Sequence, residues 1–152
     1  MHRIVASWFG SGLLLRRFTG SDAGSGTLGA AVALAMSLGL GRVGWWAQAA
    51  AIVVVTGLSI WSSGPFAHGT DDHDPGWVVA DEAAGAFVAT FGLGVPAVFV
   101  AWVVFRLADI FKGYFPGVAA AERLPGGWGI TADDLVAGLY GAAAGWAVTA
   151  FV

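Results

Sequence analysis

The 152-residue sequence contains no cysteine. That excludes a disulfide framework, a thiolate zinc site and a cysteine nucleophile. Charge is scarce too: seven Lys and Arg with ten Asp and Glu make 11% of the chain, against roughly 25% in soluble domains. So few charges cannot coat a water-facing shell. A chain that is 57% hydrophobic with a mean hydropathy of +0.75 is not disordered either. The formal net charge of −3 gives no general attraction to nucleic acid, so no such partner is expected. The length allows one domain, residues 1–152. These absences point to a membrane protein.

What is present is a set of long apolar runs. Ala23–Gly41, Val43–Thr70, Ala83–Phe105 and Leu135–Val152 carry no Asp, Glu, Lys or Arg. About 20 apolar residues cross a bilayer as a helix, and backbone groups in lipid must pair within the segment. The expected fold is therefore all-α, a polytopic membrane helical bundle. Many of the 24 glycines, such as Gly138 and Gly145 in a row with Ala142, read as packing positions between helices. The N-terminal run Ile4–Leu15 is too short to span and is followed directly by Arg16 and Arg17, with no small-x-small cleavage site. It reads as an interfacial or re-entrant segment rather than a signal peptide, and Ser21–Thr27 reads as a loop.

If Ala83–Phe105 were one spanning helix, the charges before it (Asp71, Asp72, Asp74, Asp81, Glu82) and after it would lie on opposite sides of the membrane. Gly92, Gly94 and Pro96 interrupt the run and suggest a hairpin of two short helices, roughly 78–91 and 95–110. With a tight turn at Gly41–Gly44, about five membrane helices then alternate. Arg3, Arg16, Arg17, Arg106, Lys112 and Arg123 fall on one face and Arg42 alone on the other. That bias marks the cytoplasmic face.

Three motifs carry chemistry. Asp81-Glu82 begins an apolar helix, which suits either capping or a functional carboxylate pair at membrane depth. Arg106-x-x-Asp109-x-x-Lys112 places three charges on one helix face, as an intrahelical ion pair or as a phosphate clamp beside a metal-facing carboxylate. Gly126-Gly127-Trp128-Gly129 reads as a loop whose backbone amides, with Arg106 and Lys112, approach an anion. Thr131, Asp133 and Asp134 follow, and Thr131-x-x-Asp134 also fits a capping box. Together Asp81, Glu82, Asp109, Asp133 and Asp134 gather at one interface beside two cations. Carboxylates with phosphates are the usual Mg²⁺ environment, and such a site activates water and neutralises phosphoryl oxygens. His2, His68 and His73 show no ligand spacing, and Asp71–Asp74 reads as a solvated acidic loop.

These residues resemble the phosphatidylglycerophosphatase A family. Asp74-Pro75-Gly76-Trp77-Val78-Val79-Ala80-Asp81-Glu82-Ala83-Ala84-Gly85 is similar to its first signature. Phe105–Lys112 resembles the second, and Gly126–Ile130 with Asp133–Gly138 the third. Phe9-Gly10-Ser11-Gly12 and Gly26-Thr27-Leu28-Gly29 resemble its N-terminal elements, although Ser25 stands where proline commonly precedes Gly-Thr. Gly113-Tyr114-Phe115-Pro116 and Glu122-Arg123 also depart from the family pattern. The resemblance implies a Mg²⁺-dependent lipid phosphatase of the bacterial inner membrane that converts phosphatidylglycerophosphate to phosphatidylglycerol. It assigns Asp81, Glu82, Arg106, Asp109, Lys112, Asp133 and Asp134 to the site.

Two other functions compete. A small transporter or channel would carry charges through both halves of the membrane, whereas here they gather on one face. An alcohol phosphotransferase would carry an Asp-x-x-Asp-Gly-x-x-Ala-Arg run, which is absent.

Overall fold

The first apolar run bends before it can become one helix. Trp8, Phe9 and Gly10 take left-handed backbone angles, with φ of 49°, 56° and 92°, and separate α1 (His2–Ala6) from α2 (Ser11–Thr19). In the computed structural model, which describes residues 1–67 and 76–151, the expected interfacial segment is thus a pair of short helices. Trp8 is buried edge-on against Phe87, whereas Phe9, Leu14 and Phe18 are exposed. The Ala6 carbonyl accepts a hydrogen bond from Val79 N at 2.8 Å, which ties the segment to the core. Asp71–Asp74, His68 and His73 lie outside the described residues.

Two long helices follow, α3 (Ser25–Val43) and α4 (Trp45–Ser63), with Gly44 alone between them at φ 143°. The loop expected over 21–27 ends early, because Ser25, Gly26 and Thr27 already form the first turn of α3. Ser25–Val43 and Trp45–Phe66 are the two helices among the described residues long and apolar enough to cross a membrane.

The apolar run 83–105 breaks at Gly92, Gly94 and Pro96, giving α5 (Ala80–Ala89) and α6 (Ala97–Ile110). Gln48 of α4 accepts the Gly92 N–H at 3.0 Å and donates to the Ser37 carbonyl at 3.3 Å, while Thr90 Oγ1 lies 2.7 Å from Ser37 Oγ. This buried polar group satisfies backbone that the break leaves without helical partners. At 1.5 Å per residue the two helices are about 15 and 21 Å long, shorter than a hydrocarbon core of about 30 Å.

After a 3-10 turn at Lys112–Tyr114 and α7 (Val118–Ala121), the chain ends in α8 (Gly127–Thr149). Glycines let α8 lie against α5 and α6. A Cβ on Gly138 would stand 2.6 Å from the Gly85 carbonyl, and one on Gly141 2.5 Å from that of Ala101. Gly138 meets Gly85 and Val88 while Gly141 meets Ala89, so α8 runs parallel to α5; Gly141 and Gly145 meet Phe105, Ala101 and Ala97, so it runs antiparallel to α6. This topology brings the start of α5, the end of α6 and the start of α8 to one end of the bundle.

Candidate active site

Asp81 and Glu82 occupy the first turn of α5, where unpaired N–H groups and the helix dipole favour negative charge. Asp133 and Asp134 lie in the second turn of α8. Thr131 does not cap that helix: its Oγ1 lies 2.8 Å from Ser59 Oγ, and α8 has already begun at Gly127. The capping-box alternative for Asp134 is thereby excluded.

Asp81, Glu82 and Asp134 each offer a carboxylate oxygen, and these atoms all lie within 4.8 Å of one another. Asp81 is 0% and Asp134 3% exposed. Asp134 Oδ1 is buried and has no hydrogen-bond partner among the described residues. Three close carboxylates at low dielectric repel strongly unless a cation joins them. An all-oxygen donor set with an unused buried ligand atom fits a hard divalent ion such as Mg²⁺.

Arg106 is the nearest fixed cation. Its Nη1 lies 2.7 Å from Asp109 Oδ2 and 4.0 Å from Glu82 Oε1. The i,i+3 ion pair within α6 therefore exists, and the same guanidinium also reaches across the hairpin to Glu82. Lys112 stands beyond the end of α6 and turns elsewhere, to Asp133 Oδ2 at 2.9 Å and Glu122 Oε1 at 2.8 Å. Burial lowers the Lys112 pKa, but hydrogen bonds to Glu122 and Asp133 outweigh it and hold the ammonium above its ordinary value. The five carboxylates expected as one group lie within electrostatic reach of one another but take different direct partners. Asp81, Glu82 and Asp134 converge, Asp109 is held by Arg106, and Asp133 by Lys112.

The glycine run corrects the sequence reading. Gly126, at φ 63°, precedes α8, but Gly127 and Gly129 belong to its first turn and not to a loop. A Cβ on Gly127 would overlap the Ile60 carbonyl, and one on Gly129 the Leu124 carbonyl. These glycines admit close backbone neighbours.

Two features lay outside the sequence-derived site. Glu122 shares Lys112 with Asp133. At Gly26 a Cβ would overlap Glu82 Oε1 and stand 3.0 Å from Arg106 Nη2, so α3 presses directly on the acidic cluster. The recurrence of Gly26 and Gly29 on one helix face was the available signal.

The chain matches the family described as phosphatidylglycerophosphatase A over residues 4–149, nearly its whole length. Among curated proteins it is similar to one from Bacteroides thetaiotaomicron named as a phosphatidylinositol-3-phosphatase. The two are 34% identical over 102 residues, covering 62% of this chain and 61% of the relative, so the match spans less than two thirds of that protein. No solved structure matches the chain.

Proposed function

Since the chain belongs to the phosphatidylglycerophosphatase A family, we propose that it is a membrane-embedded phosphatase that removes the terminal phosphate of phosphatidylglycerophosphate to give phosphatidylglycerol. The observation that carries this reading is the convergence of Asp81, Glu82 and Asp134 beside Arg106 at one end of a helical bundle. In it, Asp81, Glu82 and Asp134 hold Mg²⁺, which when bound supplies positive charge against the phosphoryl oxygens. Arg106 offers its planar fork to the same oxygens, and Asp109 fixes the orientation of that fork. Lys112, held by Asp133 and Glu122, braces the start of α8. One carboxylate takes a proton from a water whose oxygen bonds to phosphorus, the bond from phosphorus to the glycerol oxygen breaks, and that proton passes to the leaving oxygen.

The same reading puts the single domain in the bacterial inner membrane with its site at the cytoplasmic face. All five longer helices are embedded, α5 and α6 as a short hairpin that does not need to span. Trp45 and Trp46 stand at one end of α4 and Trp61 at the other, all exposed. Trp45 and Trp61 are about 24 Å apart along the helix at 1.5 Å per residue, and exposed aromatics at both ends suit the two interfaces of a bilayer.

Phosphate release from phosphatidylglycerophosphate, phosphatidylinositol 3-phosphate and phosphatidic acid, each with magnesium or with chelator, tests the proposal. Metal-dependent release that is fastest from phosphatidylglycerophosphate is expected. Preference for the inositol lipid would keep the phosphatase and change its substrate. No metal-dependent release from any of the three would sink the reading.

A further inference from the structure

The start of α3 has the properties of an anion site that the ion pairs do not use. Its N-cap is Gly24, without a side chain to cap the helix, and no acidic residue stands in the first turn. The first helical bond runs from Leu28 N to the Gly24 carbonyl at 3.0 Å, so the N–H groups of Gly26 and Thr27 have no acceptor within the helix. This end faces the acidic cluster, because Gly26 abuts Glu82 Oε1 and Arg106 Nη2. Two buried side chains here carry unused donors among the described residues. Ser25, immediately before Gly26 on the buried side of the same turn, is 0% exposed and its Oγ has no hydrogen-bond partner. Arg106 is 9% exposed, and its Nε is likewise unpartnered. Leaving such donors dry is costly, so each calls for an explanation, and a ligand that accepts from all of them supplies one. Amides at a helix start, a hydroxyl and a guanidinium together suit a phosphate dianion, which has several acceptor oxygens.

We infer that Ser25 Oγ and the Gly26 and Thr27 amides bind phosphoryl oxygens of a phosphate monoester opposite Arg106. The inference rests on the phosphatase reading above and adds to it a substrate-binding element from the N-terminal part of the chain. The competing role for this helix end, neutralising Glu82 by its dipole alone, leaves the Ser25 hydroxyl without a task.

Ser25→Ala separates the two. The full chain in detergent is compared with wild type in ligand-free melting temperature, in the rise of that temperature with inorganic phosphate in the presence of magnesium, and in kcat and KM for phosphatidylglycerophosphate. Ligand-free melting is expected to stay the same or rise, since the hydroxyl has no partner to lose. Inorganic phosphate and the lipid should each bind about tenfold more weakly, with kcat within about threefold of wild type. A drop in ligand-free stability, a wild type that phosphate does not stabilise, or unchanged affinity for phosphate would overturn the inference. Absence of phosphate release by the wild type would sink the phosphatase reading by itself. A phosphate-induced melting shift that weakens in Ser25→Ala would then still support the anion site at α3.

Discussion

Asp133 and Asp134 are neighbours in sequence, yet one pairs with Lys112 and the other joins Asp81 and Glu82. Successive helix residues are rotated by about 100°, so an Asp-Asp pair in α8 necessarily faces two directions. Different outcomes follow for the two. Asp134→Asn keeps the shape and removes a charge from a crowded buried group. It should lower phosphate release by about 100-fold or more while raising ligand-free stability by about 1–3 kcal/mol. Parallel turnover and melting measurements check this. Lys112→Met leaves the buried Asp133 without its cation and should cost about 1–3 kcal/mol. Because the folded-state pKa of Lys112 is raised, its contribution is complete below the unfolded value of about 10.4 and is lost only as pH rises past it. The melting difference between wild type and Lys112→Met should therefore stay level from about pH 7.5 to pH 9.5 and shrink only at higher pH. The site residues were legible as types: acids and bases at helix ends in an apolar chain. Their partners were not, because the pairing of Lys112 with Glu122 and Asp133 depends on how α7 and α8 fold back, and sequence spacing carries no record of that.

At the scale of the elements, glycine has two meanings that composition cannot separate. The hairpin break was legible because Gly92, Gly94 and Pro96 together remove helical propensity and a donor within five residues. The start of α8 was not, because a glycine needed for a close carbonyl contact looks the same as one needed for a turn. The structure sorts them. A Cβ on Gly85 would stand 2.5 Å from Phe105 Cε2 and 2.7 Å from the Asp134 carbonyl, whereas Cβ atoms on Gly39 and Gly57 would meet nothing within 4 Å. Gly85→Ala should therefore destabilise by about 1–3 kcal/mol and slow turnover, since the displaced carbonyl belongs to a site residue. Gly39→Ala and Gly57→Ala should stabilise by about 0.5–1 kcal/mol and leave turnover unchanged. Melting in detergent and the same activity assay distinguish the two groups.

For the whole molecule, buried charge sits within an apolar core while large apolar side chains also remain on the outside. Asp81, Asp134 and Arg106 are inside, while Val53, Val54, Phe99, Val103 and Leu139 are exposed on α4, α6 and α8. An exposed apolar surface spread over several helices, around a charged interior, suits lipid as the outer solvent. On the proposed membrane reading the site opens at one interface, because α5, α6 and α8 bring their charged ends together there and the turn at Gly44 lies at the far end of α3 and α4. The absence of cysteine makes this directly testable, since any thiol introduced is the sole reactive one. Arg42→Cys lies at the far end and Arg123→Cys between α7 and α8 near the site. In sealed vesicles of known orientation, an impermeant maleimide should label these two variants from opposite sides, with Arg123→Cys reached from the cytoplasmic side. Labelling of both from one side would break the proposed disposition of α3 and α4. It would also mean that neither of the two helices among the described residues that are long and apolar enough to cross a membrane separates the site from Arg42.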